Sequence, residues 1–160
     1  MAVDMFLKID DIDGESLDKK HEKSIDVLAW SWGMSQSGST HIGTGGGSGK
    51  VNVQDISFTK YLDKSTPNLI KLCCSGKHIK QAKMTIRKAG GAPLEYLVIT
   101  LKDAIVSSVS SGGSGGEDRL TENVTLNFGS FELEYKAQNK DGSAGAGASA
   151  KWNIAKNAES

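Results

Sequence analysis

Between Leu120 and Phe128 the side chains alternate with a period of two. Leu120, Val124, Leu126 and Phe128 fall on one face, interrupted by Glu122, while Thr121, Asn123, Thr125 and Asn127 fall on the other. Successive residues of a strand point to opposite sides of its sheet, so this pattern predicts a half-buried β-strand. Its second face is polar yet uncharged, which suits contact with something other than bulk water. Upstream, the side-chain-poor stretch Ser111–Gly116 runs into a charged corner at Glu117, Asp118 and Arg119.

The same reading extends along the chain. Met5–Ile9 reads as a first strand and Ile25–Met34 as a second, joined by a polar connection over 10–23. In Val51–Tyr61 the apolar phase switches from Val51 and Val53 to Ile56 and Phe58. One extra residue near Gln54–Asp55 would cause that switch, so a bulge is expected there. Thr66 is a good N-cap and Pro67 fits the first helical position, which predicts one short helix over about 67–75. Leu69, Ile70 and Cys73, with Leu72, form its inner stripe, and Gly76 is placed to end it. Ile79–Lys88, Leu94–Leu101 and Ala104–Ser110 follow as strands, the middle one apolar on both faces and therefore central. Leu120–Phe128 and Phe131–Lys136 form a late pair around Gly129-Ser130, and Trp152-Asn153-Ile154 reads as a short final strand. About eight strands, one short helix and no βαβ rhythm predict a mainly β chain, a β-sandwich or barrel.

A length of 160 residues favours one domain over 1–160. The chain's 19 glycines are in excess of ordinary usage and gather in connections. Two stretches stand out as flexible: the Gly/Ser-rich loop 35–49 and the Ala/Gly/Ser-rich segment 137–150. The loop has many glycines and few side chains to hold it down, so it is expected to become ordered through contacts with another subunit.

Charge and motif tests exclude most chemistry. The 19 basic and 19 acidic residues cancel, whereas a nucleic-acid binder carries a basic excess or stripe. Lys77, Lys80, Lys83, Arg87 and Lys88 come nearest, and a solvated strand face accounts for them. Gly43–Gly49 before Lys50 fails as a phosphate loop: Thr44 stands where glycine is required, Val51 where Ser or Thr is required, and a strand follows. Asp10, Asp11, Asp13 and Glu15 fail as a calcium loop, which would have to start at Ile9 and end at Lys20. His21, His41 and His78 lack metal-ligand spacing. Adjacent Cys73 and Cys74 read as reduced thiols, because disulfide geometry is awkward between neighbours. No serine sits in a nucleophile elbow. The expectation is therefore no enzyme, no catalytic residues, no metal and no cofactor. Met1–Ile9 is too short and too charged for a signal peptide, and no apolar run is long enough to span a membrane. Synthesis in the cytoplasm with no membrane insertion is expected. Trp30 and Trp32 share a strand face with Leu28 and Met34, which reads as core. The opposite face, Ala29, Ser31 and Gly33, is small and uncharged, able to pack closely or to line a lumen.

Several long runs, taken in order, resemble one family. They are Met1-Ala-Val-Asp-Met-Phe-Leu-Lys-Ile9, Ile25-Asp-Val-Leu-Ala-Trp-Ser-Trp-Gly-Met-Ser-Gln-Ser-Gly38, Lys50-Val-Asn-Val-Gln-Asp-Ile-Ser-Phe-Thr-Lys-Tyr61, Ser65-Thr-Pro-Asn-Leu69, Ser75-Gly-Lys-His78, Thr85-Ile-Arg-Lys-Ala-Gly-Gly91 and residues 111–128. Together they are similar to the Hcp family, the tube-forming proteins of bacterial type VI secretion. The resemblance covers nearly the whole chain and is weakest over 137–151. It implies rings of six copies that stack into a tube, secretion through the contractile machine without a cleavable signal, and carriage of small effector proteins inside the ring. It also implies as partners the chain itself, a spike protein and the contractile sheath. Some relatives bear a C-terminal toxin domain, for which this sequence leaves no room, so carrier and tube are expected. On this reading Ser31, between Ala29 and Gly33, and Ser114, between Gly113 and Gly115, face the lumen and the cargo. Ser35, Gln36, Ser39, His41, Gly45, Gly46 and Gly47 belong to the inter-subunit loop. The alternative class is a secreted β-sandwich enzyme or carbohydrate-binding module; exposed Trp30 and Trp32 would favour the latter.

Overall fold

A computed structural model describes residues 3–37, 49–88 and 93–160. In chain order the elements are β1 (Val3–Ile9), β2 (Ile25–Asp26), β3 (Ala29–Ser31), β4 (Met34–Ser35), β5 (Asn52–Val53), β6 (Ile56–Tyr61), α1 (Thr66–Ser75), β7 (Ile79–Lys88), β8 (Leu94–Gly112), β9 (Thr121–Gln138) and β10 (Ala144–Asn153). The main sheet runs β2-β1-β7-β8-β9-β6-β3, with β10 added to β9, and β4 pairs with β5 as a separate ribbon. Its two ends are one continuous piece of chain. Val27 N–H donates to Met5 on β1 at 3.0 Å and Leu28 N–H to Thr59 on β6 at 2.8 Å, so the segment carrying β2 and β3 crosses from one edge to the other. The sheet thus curls into a barrel, and among the described residues β3, β10 and the second half of β8 each keep one flank without a strand partner.

Period-two alternation fills the interior. Ile56 and Phe58 of β6, Val124, Leu126 and Phe128 of β9, Ile99, Leu101, Ala104 and Val106 of β8, and Leu7 and Ile9 of β1 are all buried. Helix α1 begins one residue earlier than its sequence suggests. Ser65 takes the N-cap position without a side-chain bond, and Gly76 closes the helix at φ 66 with its N–H on the Leu72 carbonyl. Leu69 is the buried residue of α1, and the helix packs along β8.

The long strands differ from expectation. Leu94–Leu101 and Ala104–Ser110 are parts of one strand, β8, and 120–128 and 131–136 are parts of one strand, β9. Gly129-Ser130 looked like a reversal, but Lys102 pairs with Ser130 and Ala104 with Phe128. Asp103, at φ 52, lies opposite Gly129, so the two strands bend together there and stay paired. A Cβ on Gly129 would stand 3.4 Å from the Asp103 Cβ, an ordinary contact, so the bend does not demand glycine there for space. Segment 137–150, expected as irregular, holds most of β10. Ala, Gly and Ser carry no apolar alternation to betray a strand; backbone bonds to β9 make it one, with Trp152 opposite Phe131.

The expected strand 25–34 is divided into β2, β3 and β4 because the chain changes partner twice. Leu28 and Met34, expected in the core, are 40% and 47% exposed. Trp30 and Trp32 do pack on the core, Trp32 edge-on to Phe131 at 4.9 Å. The expected bulge appears as a break at Gln54–Asp55 between β5 and β6, and the Gln54 N–H donates to the Gly33 carbonyl. Leu120, expected on the buried face, precedes β9 and lies over Gly113, where any Cβ would come within 2.2 Å of its Cδ2.

Candidate functional site: a polar face on a hydrophobic barrel

Strands β3, β6, β9 and the second half of β8 lie side by side, and their outward faces form one polar surface. Its side chains bond mainly to one another. Ser31 Oγ and Ser57 Oγ are 2.7 Å apart. Thr59 Oγ1 donates to Asn123 Oδ1 at 2.6 Å. Thr125 Oγ1 lies 2.6 Å from the hydroxyls of both Ser107 and Ser108. Both serines reach one threonine because the β8–β9 register shifts between Val106 and Ser108, setting two residues against one. Asp55 accepts from Ser107 Oγ at 2.7 Å and from Asn127 Nδ2 at 2.8 Å. The result is a wall of hydroxyls and carboxamides, many of them bonded to one another, around the single carboxylate of Asp55.

Directly beneath this wall, one rank inside the barrel, sits a charged cluster. Lys60 and Glu122 are paired across β6 and β9, and both side chains are 0% exposed. Lys60 Nζ bonds to Glu122 Oε1 and lies 3.2 Å from Asp63 Oδ1. Thr66 Oγ1, at the start of α1, donates to Glu122 Oε1 at 2.7 Å, and Ser111 Oγ on β8 donates to Glu122 Oε2 at 2.9 Å. Asp63 accepts from the Ser65 N–H at 2.8 Å. The cluster ties three strands and the helix together at one end of the barrel. Its signal in the sequence was Glu122 interrupting an apolar stripe; Lys60, in phase with Ile56 and Phe58, interrupts another. Sequence reasoning noticed the first and missed the pairing.

A second clasp holds the 10–24 connection. Arg87 bonds to Asp18 and, through Nε at 3.3 Å, to Asp4. The Arg87 hydrogen bond holds the Asp18 carboxyl below the usual carboxylate range. His21 stacks on Phe6 at 4.4 Å and meets Glu95 at 2.7 Å. Asp26, in contrast, has its carboxyl raised by loss of solvent.

The candidate residues fall in three places. Ser31 is on the polar face. Ser114 is in the loop beyond Gly112, the end of β8, where its carbonyl accepts from Glu117 N–H at 3.2 Å; the structure does not bring it to Ser31. Ser35 pairs with Asn52 in the β4–β5 ribbon, and Gln36 Oε1 accepts from the Ser37 N–H. Ser39, His41, Gly45, Gly46 and Gly47 lie outside the described residues. Ser57, Thr59, Ser107, Ser108 and Asp55 are members of the face that the sequence did not single out. A cleft of about 930 Å³ between α1 and the end of β1 is lined by Lys71, Lys77, His78, Asp10 and Asp103 among others, with no nucleophile bonded to a base among its described residues.

Comparison with known proteins agrees with this architecture. Residues 6–135 match the family model described as "Type VI secretion system effector, Hcp". The chain is similar to Protein hcp1 of Pseudomonas aeruginosa, 66% identical over 161 residues, with 99% of each chain covered. Among solved structures it is similar to Hcp1 from Salmonella typhimurium, at 41% identity, TM-score 0.82 and full coverage of both chains. It also superposes on a type six secretion system protein at TM-score 0.93 and 28% identity, covering 99% of this chain and 100% of that one. With the family's own pattern matched over most of its length and a relative two-thirds identical throughout, the chain belongs to the Hcp family, the secreted tube proteins of type VI secretion.

Proposed function

We propose that the protein forms hexameric rings that stack into the inner tube of a type VI secretion system, with the polar face of β3, β6, β9 and β8 turned to the channel. The observation that carries this reading is that face itself: uncharged over most of its area, self-bonded, and backed by a rigid core. A bulky or densely charged wall would trap cargo, whereas a mostly neutral wall of hydroxyls and carboxamides lets varied polypeptides pass.

The barrel's own edges suit ring formation. β3 is paired only with β6, and β8 beyond Ala104 is paired only with β9, with α1 packed along it. The flanks of the polar face are therefore where neighbouring copies meet, and a head-to-tail contact whose rotation closes gives a ring. Stacking of rings, contact with a spike and a sheath, and carriage of small effectors complete the role. The inter-subunit part is assigned to the 35–49 loop, with Ser35 and Gln36 at its base.

The test is light scattering of the purified protein at micromolar concentration, followed by Ser31→Trp. A multimer of about six subunits supports the reading, and a monomer at every accessible concentration overturns it. Ser31→Trp should assemble normally and bind effector less well. Unchanged effector binding removes this face from the channel.

A further inference from the structure

Asp55, just before β6, is the one charged side chain bonded into the outward face of β3, β6 and β9 up to Asn127. Its two carboxylate oxygens are taken by neutral donors, Ser107 Oγ and Asn127 Nδ2. Among the described residues no lysine or arginine nitrogen lies within 4.0 Å of it. Those donors fix the carboxylate in place and leave its charge uncompensated. One cation near this surface, Arg119, is stacked on Tyr61 at the other end of β6, 3.8 Å from the ring. Six residues of strand separate Asp55 from Tyr61, roughly 20 Å at about 3.3 Å per residue. That exceeds the screening length of about 8 Å in physiological salt, so Arg119 does not neutralise Asp55.

We propose that Asp55 sets the cargo class of the channel: repeated by the ring's symmetry, it forms an anionic belt that favours polypeptides with cationic surfaces and disfavours acidic ones. This rests on the reading that the face lines the channel. Like charges repeated around a channel with low-dielectric walls add their fields and raise the local concentration of oppositely charged partners. The hydroxyls around the belt add no strong grip, so the preference is electrostatic and fades with salt.

The experiment uses assembled rings of the full chain with fluorescent oligolysine and oligoglutamate as probes. Parent rings are expected to bind oligolysine in preference to oligoglutamate at low salt. Asp55→Asn should reduce oligolysine binding about tenfold, as expected for loss of a focused field, and Asp55→Glu should retain it. Ser57→Lys, which places a cation beside the carboxylate, gives an independent route to the same loss if Asp55→Asn assembles poorly. Asp55→Asn or Ser57→Lys rings that bind oligolysine like the parent overturn the proposal. Spin labels placed on Ser57→Cys, in a Cys73→Ala, Cys74→Ala background, separate the two readings. Labels closer together across the ring than labels on Lys83→Cys of β7 place the face inside, and unchanged oligolysine binding would then reject Asp55 alone. Labels farther apart than those on β7 would reject the channel assignment, and this inference with it.

Discussion

Two neighbouring ranks of β6 and β9 carry polar pairs with opposite physics. Thr59 and Asn123 face out, neutral and solvated; Lys60 and Glu122 face in, charged and dry. An exposed neutral hydrogen bond replaces similar bonds to water and is worth about 0.5–1.5 kcal/mol. A buried ion pair has left water altogether, and removing one partner strands the other at a cost of about 3–5 kcal/mol. One step along the backbone therefore separates a surface that can be altered for function from a cluster on which the fold depends.

The largest expected effect breaks the inner pair. Glu122→Ala should lower stability by about 3–5 kcal/mol in urea unfolding, because Lys60 is left buried without its carboxylate. Lys60→Met combined with Glu122→Leu should recover most of that loss, since well-packed apolar residues can replace a buried pair. A cost below about 1 kcal/mol for Glu122→Ala, the range of exposed pairs, would erase the contrast between the ranks.

On the outer rank, Thr59→Val should change the unfolding midpoint by no more than a surface substitution does, within about 0.5 kcal/mol. A loss as large as that of Glu122→Ala would mean that the polar face also holds the fold.

Smaller effects come from the carboxylates outside both ranks. Asp18 is held below its ordinary range by Arg87, so its stabilisation is present above the unfolded-state pKa and is lost as pH falls through the folded one. Asp18→Asn should flatten the acid limb of a urea midpoint measured against pH, leaving the fold intact at neutral pH. Asp26 has the opposite sign. Its carboxyl is raised by burial, so the folded state binds its proton more tightly and loses stability as pH rises through the raised value. Asp26→Asn should slightly raise the midpoint at neutral pH, and a lowered midpoint would show that the carboxylate is paired after all.

How far the sequence could be read depended on whether side chains or backbone defined an element. β7 was legible to the residue, and β6 and α1 nearly so, because alternation, Pro67 and Gly76 mark them in side chains. β10 was not, because Ala144–Ala150 has no pattern and only pairing with β9 makes it a strand. The continuity of β8 and β9 was hidden for a related reason: Asp103 and Gly129 look like turn residues singly and become a shared bend only when opposed. Of the candidate site, Ser31 was legible as a small polar residue on a strand. Ser57, Ser107 and Asp55 were not, because they join it only through register.

The sequence by itself determined that this is a β protein, which face of each regular strand is apolar, where helix α1 lies to within a residue, and, through long matching runs, the Hcp family. These are local properties, since each residue's preference and period act over a few neighbours. The tertiary structure alone decided that the sheet closes through Val27 and Leu28, that Lys60 meets Glu122 across 62 positions of chain, and that hydroxyls from β3, β6, β9 and β8 merge into one wall. Those outcomes depend on which strands become neighbours and in what register. Register is set by the summed burial of whole faces, a cooperative quantity that no single residue or short motif carries.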